Sequence, residues 1–185
     1  YTIHSGKAHF GAIGYPSSNP LNLGFTINIG GHAVGAPGSY LGKENFGNGK
    51  KGREIWAVPG LEKYHGKDLF LTEALTKEVI NALDTPVKIK QPFFLYFALY
   101  GIHTPLMANE RFISPYREMG LEEPEASYAS MIETMDEALG KVLDYLEANQ
   151  LEEDTVVLFI SDNGGLSAVA RGGEKHNHNF PLKSG

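Results

Sequence analysis

The sequence predicts an α/β fold, with a mixed, largely parallel sheet sandwiched by helices. Three observations predict it. Two continuous apolar runs rich in aromatic and β-branched residues, 93–99 and 155–160, read as strands buried on both faces. A long amphipathic segment, 127–149, lies between them, and strand, long helix, strand is the pattern of a crossover joining parallel strands. Each run leads into polar side chains, the first into His103 and the second into Ser161-Asp162-Asn163-Gly164-Gly165. In open α/β sheets ligands bind at the carboxyl ends of the strands, so these side chains are the first candidates for function.

Taken in order, residues 1–5 read as the end of a strand that runs into a loop at Gly6–Gly14. Residues 11–66 are rich in Gly, Pro, Asn and Ser and show little periodicity, as expected of a functional loop region. From 69 to 83, Leu71, Leu75, Val79 and Leu83 recur at helical spacing, with Thr72 as a cap or first-turn residue. Residues 111–119 suit a short helix leading into an acidic loop. Within 127–149, Met131, Met135, Leu139, Val142, Leu143 and Leu146 form one apolar stripe for core packing. Residues 151–154 are a short connection. After Gly165 the chain returns to polar loop, with Arg171, Glu174, Lys175, His176 and His178 close together.

Composition sets limits on function. The 185 residues suffice for one domain with a sizeable core. A net charge of −6 excludes a general affinity for nucleic acid, which needs a basic face. It leaves room for a small cationic pocket. No apolar run approaches the ~20 residues that span a bilayer. There is no cysteine. Gly30-Gly31 is not a dinucleotide fingerprint, since no G-x-G-x-x-G opens a helix after a strand.

Asp162 and Asn163 are adjacent oxygen donors suited to a hard cation, Ca²⁺ or Mg²⁺, although Asp-Asn-Gly-Gly also suits a plain turn. Two further segments bear on this choice, Gly6-Lys7-Ala8-His9-Phe10-Gly11 and Pro92-Phe93-Phe94-Leu95-Tyr96 leading to His103-Thr104-Pro105. Alone, each also fits a solvated lysine or a hydrogen-bonded loop histidine. Together and in this order, the three segments resemble the type I, formylglycine-dependent sulfatases of the alkaline phosphatase-like superfamily. That family shows Gly-Lys-x-His-x-Gly, then a Pro-Phe-Phe-Leu-Tyr strand ending in His-x-Pro, then a strand ending in Ser-Asp-Asn-Gly.

The resemblance implies roles. Lys7 would contact sulfate and formylglycine oxygens, and His9 would hold a formylglycine hydroxyl and accept its proton when the sulfated intermediate collapses. In extended chain their i, i+2 spacing puts both side chains on one side. Ala8 stands where that family often has Trp, which implies a packing difference. His103 would bind sulfate and protonate the leaving oxygen, and a residue titrating near neutrality suits that task. Pro105 would stiffen the loop behind it. Asp162 and Asn163 would be metal ligands, to Ca²⁺ or in its place Mg²⁺. His32, His176 and His178 would contact the alcohol part of the substrate, though an ordinary surface histidine fits each equally. Lys183 takes no sulfate-binding role, and His4 and His65 take none.

The resemblance also implies an internal fragment, residues 1–185, of one catalytic domain. Its amino-terminal nucleophile and metal strand and its carboxy-terminal part would lie outside, with formylglycine on a residue outside this chain. The fragment alone is then expected to be inactive, to bind cation weakly and to self-associate through exposed sheet edges. The parent would hydrolyse O-sulfate esters on a small molecule or, by analogy with bacterial enzymes, a glycan. It would need a formylglycine-generating enzyme and would be periplasmic or secreted. Two alternatives are a phosphoester or phosphonate hydrolase of the same superfamily and a non-catalytic glycan-binding pseudoenzyme. Lys7-x-His9 leans toward the sulfatase.

Overall fold

The computed structural model describes residues 1–47 and 49–166. Three parallel strands, β1 (Thr2–Gly6), β2 (Ile27–Ile29) and β3 (Phe94–Ala98), form a sheet in the order β2-β1-β3. Ile3 stands opposite Ile27 on one side and Leu95 on the other, so one register spans all three strands. β1 therefore lies in the middle, and its carboxyl end, with Lys7 just beyond, opens between its two neighbours.

Side chains alternate across β1. Ile3 enters a core with Ile29 of β2, with Leu71, Leu75, Val79 and Leu83 of α1 (Leu71–Lys88), and with Met131 of α3 (Glu123–Ala148). His4 enters the opposite face and is wholly buried, with the rings of Phe25 and Phe10 at 5.3 and 5.5 Å. That face is thinner: Phe94 and Tyr96 of β3 are exposed. The expectation that β3 is buried on both faces is thus corrected. The two helices cover one side, and on the other the described residues offer only the Phe10–Phe25 layer.

The helices start differently from the sequence expectation. Thr72 lies in the first turn of α1, while the Glu73 carboxylate accepts the Phe70 N–H at 2.9 Å and so closes the amino end. α1 continues past residue 83 to Lys88, with Pro86 inside it. α2 (Ile113–Glu118) matches the expected short helix. α3 starts at Glu123, so part of the expected acidic loop is its first turn, where Pro124 and the carboxylates of Glu123 and Glu125 suit a helix amino end. Its buried stripe runs through Ser130, Met131, Thr134, Ala138, Val142 and Leu146. Leu143, placed on the stripe by spacing, is exposed. Arg111 bridges Glu73 of α1 and Glu137 of α3, tying the β3–α2 loop to both helices.

The largest departure is at 155–160. The segment leaves a short turn at Glu152–Asp154 and starts extended, but it pairs with no strand among the described residues. Val156 is 86% exposed and Ile160 80%. A parallel strand takes its ladder bonds from neighbours and its burial from layers on both faces. Neither is present around 155–160 among the described residues, so the expected buried strand appears as an open apolar segment.

Candidate active site

Lys7 is fixed by the backbone on which it sits. Its N–H donates to the Ala98 carbonyl at 2.7 Å, extending the β1–β3 pairing by one residue. Gly6, just before it, has φ of +95°, and a Cβ there would stand 1.9 Å from the Ala98 oxygen. Only glycine fits that approach. Ala8 is buried and His9 exposed. His9 has φ of +54°, so the extended alternation assumed for Lys7 and His9 ends before His9. Its N–H donates to the His32 carbonyl at 3.0 Å, and its ring lies against Gly35, where a Cβ would come within 2.6 Å of Nδ1.

The Lys7 ammonium lies 3.7 Å from Asp162 Oδ2. Two motif residues some 155 positions apart in the chain thus meet at one point. The lysine is half-buried and the aspartate exposed. Ser161 Oγ donates to the Asn163 carbonyl at 2.6 Å and folds the chain back just beside the pair.

His103 is exposed at the top of the turn that follows β3. Its Nδ1 lies 2.9 Å from the Thr104 carbonyl, which can only accept, so Nδ1 carries the proton. The neutral ring then keeps Nε2 as an acceptor, and the protonated ring can donate from Nε2. The turn itself is held by two buried tyrosines, neither of which the sequence singles out. The Tyr40 hydroxyl is shared between the carbonyls of Tyr100 at 2.7 Å and His103 at 3.0 Å. The Tyr100 hydroxyl donates to the Gly30 carbonyl at 2.8 Å. Burial pushes both phenols well above their ordinary range, so both act as neutral donors. The signal for them is weak: Tyr100 closes an apolar stretch and looks like core, and Tyr40 follows Pro, Gly and Ser in an irregular region.

Around β2 the polar groups are similarly committed. Asn28 Oδ1 accepts from Gly31 N at 3.1 Å and lies 3.0 Å from His4 Nδ1, while its Nδ2 donates to the Gly31 carbonyl at 2.8 Å. Burial holds the His4 imidazole below its ordinary value, opposed in part by the Asn28 bond. His4 is therefore a structural histidine. His32 differs: burial also lowers it, yet its Nε2 is buried without a hydrogen-bond partner among the described residues.

As a cation site the arrangement is partial. Ca²⁺ takes about six to eight oxygens. Asp162 and Asn163 bring one carboxylate and one amide, and among the described residues no three His, Cys, Asp or Glu side chains stand together as a metal site would need. The pair fits a share of a hard-cation shell. His176 and His178 lie outside the described residues.

Among the predicted site residues, Lys7 and Asp162 meet beyond the carboxyl end of the central strand, while His9 and His103 lie in the loops that follow β1 and β3, the edge of an α/β sheet where ligands bind. The family is specific: the Sulfatase family profile matches residues 9–182, and the chain belongs to that family. Members generally use a metal ion and a formylglycine. The chain is 30% identical over 128 residues to a sulfatase of Formosa agariphila, covering 63% of this chain and 22% of that protein. It is 30% identical over 105 residues to the N-acetylgalactosamine-6-sulfatase of Mus musculus, covering 56% and 19%. The crystal structure of Ps i-CgsB in complex with k-i-k-neocarrahexaose superposes on the whole chain with a TM-score of 0.73 and 28% identity, using 40% of that structure. The chain thus spans about a fifth of the length of these curated relatives. Among the described residues no helix is long and apolar enough to cross a membrane.

Proposed function

We propose that the protein hydrolyses O-sulfate esters of carbohydrates, with sulfate held between Lys7, His9 and His103 and a divalent cation, Ca²⁺ or Mg²⁺, shared by Asp162 and Asn163. The observation that carries the reading is the approach of Lys7 to Asp162 at 3.7 Å. A sulfate ester is a stable anion, and its cleavage needs charge compensation at the non-bridging oxygens and a proton for the departing alcohol. Lys7 supplies a fixed positive charge for those oxygens. Protonated His103 donates from Nε2 to the leaving oxygen, its ring held by the Thr104 carbonyl. His9, presented outward by its left-handed backbone, accepts a proton at the same anion. When bound, the cation would draw electron density from sulfate and lower the charge that the protein must offset. The chain has no cysteine, and the formylglycine nucleophile of this reading belongs to a residue outside these 185, made by a formylglycine-generating enzyme. His32, His176 and His178 are assigned to the alcohol side of the substrate, and a periplasmic or secreted location accompanies the reading.

Membership in the family, the N-acetylgalactosamine-6-sulfatase relative and the carrahexaose complex of Ps i-CgsB support a carbohydrate substrate. The test is sulfate release by the full-length protein, co-expressed with a formylglycine-generating enzyme, with and without Ca²⁺. His103→Ala and Asp162→Ala should each lower kcat/KM by about 10²-fold or more. Hydrolysis of a phosphate ester without any sulfate release would replace the reading.

A further inference from the structure

The 28–32 turn is held by residues in or just beyond all three strands. Its Gly30 carbonyl accepts the hydroxyl of Tyr100, two residues past β3, at 2.8 Å. Asn28 of β2 grips Gly31 twice: Oδ1 accepts the Gly31 N–H at 3.1 Å, and Nδ2 donates to the Gly31 carbonyl at 2.8 Å. These two bonds fix which end of the amide is oxygen. His4 Nδ1, 3.0 Å from that oxygen, therefore carries a proton and donates it. Burial favours the neutral ring, so its single proton is the one given to Asn28. His4 is wholly buried, with the rings of Phe10, Phe25 and Tyr96 at 5.5, 5.3 and 5.7 Å. Away from water such a bond is stronger than at the surface. Gly31 leaves no slack: a Cβ there would stand 2.4 Å from Asn28 Oδ1 and 2.5 Å from His4 Cε1.

The lock ends on His9. The next carbonyl of the turn, that of His32, accepts the His9 N–H at 3.0 Å. His9 has φ of +54°, a left-handed conformation that a non-glycine residue keeps only when its surroundings hold it. The His32 bond holds its backbone, and its ring rests against Gly35. We infer that His4 and Asn28 are positioning residues for His9: they lock the 28–32 turn, whose last carbonyl fixes the backbone that presents the His9 ring outward. His4 acts through Asn28, and Asn28 acts through Gly31 and His32. The inference rests on the sulfatase reading for what His9 does to a substrate, and on geometry alone for what holds His9 in place.

The test uses the full-length protein, co-expressed with a formylglycine-generating enzyme, with an aryl sulfate as substrate and amide hydrogen exchange read on a peptide covering residues 7–11. Asn28→Ala removes both bonds to Gly31. His4→Phe keeps a ring among Phe10, Phe25 and Tyr96 and removes the donor. Each should speed exchange at the His9 amide by about tenfold or more. Each should also lower kcat by about tenfold. KM should change by less than about threefold, because Lys7, which meets the anion, is held by its own bond to Ala98. His4→Asn, whose amide nitrogen takes the place of Nδ1, should recover most of both losses. Thermal unfolding identifies any variant that fails to fold, and His4→Phe carries the test if Asn28→Ala does. Variants that lose stability but keep wild-type turnover per folded molecule, or that lose turnover without faster exchange at His9, overturn the inference. A protein that releases no sulfate from any ester, yet exchanges faster at His9 in both variants, supports the lock and removes the sulfatase reading. Unchanged exchange in such a protein overturns the lock as well.

Discussion

The two ends of the candidate site are held in opposite ways. Lys7 and His9 follow the central strand, and backbone bonds to Ala98 and His32 pin them on both sides. Asp162 and Asn163 follow an unpaired apolar segment, and Asp162 reaches the site through one ion pair at 3.7 Å. The cationic end is therefore placed by packing that these residues supply themselves. The carboxylate end is placed by local turn chemistry and by charge. Position in a fold and chemical role are separable here: the half that would meet the anion is rigid, and the half that would meet the cation depends on what surrounds it.

Gly6→Ala is the sharpest way to break this contrast. The added Cβ would meet the Ala98 oxygen at 1.9 Å, in a backbone conformation that L residues rarely adopt. Strain and a backbone clash together should cost about 3 kcal/mol or more. The expected outcome is a large drop in the urea midpoint of the full-length protein and loss of sulfate release. A change under about 1 kcal/mol would mean that the β1–β3 junction gives way easily and that Lys7 is not rigidly held.

Tyr40→Phe acts one step further out. It removes the hydroxyl shared by the carbonyls of Tyr100 and His103 and leaves buried acceptors short of a donor. The cost should be about 1–3 kcal/mol. Because this bond holds the His103 turn, kcat for a sulfate ester should fall more than KM rises, whereas loss of core packing alone would lower stability without that split. Equal activity per folded molecule would show that the turn is set by other contacts.

The sequence made the strands, helices and motif residues legible where one physical signal governed them. The 3.6-residue period of α1 and the apolar run of β3 are such cases, whereas Lys7 was singled out only through the resemblance of its segment to a family motif. Three things were harder. β2 is three residues long inside an irregular stretch and makes no periodic pattern. The buried stripe of α3 uses Ser130, Thr134 and Ala138, which hydrophobicity does not mark, and leaves out Leu143, which it does. The segment 155–160 has strand composition, but composition states only what a residue would pair with. The roles of Tyr40 and Tyr100 depend on contacts between segments distant in sequence, so no spacing announces them.

The smallest expected effect decides how different the two ends of the site are. Lys7 and Asp162 form an ion pair in which the lysine is 26% and the aspartate 74% exposed. Such pairs gain little, since water screens the charges and ordering two side chains opposes the attraction. A double-mutant cycle with Lys7→Met and Asp162→Asn, read from urea unfolding, should therefore give a coupling of about 0.2–1 kcal/mol at low salt. It should shrink as ionic strength rises and the Debye length falls below about 10 Å. A coupling above about 2 kcal/mol that resists salt would mean that Asp162 is desolvated in the full-length protein. The carboxylate end would then be held as firmly as the lysine, and the contrast between the two ends would belong to these residues alone and not to the complete site.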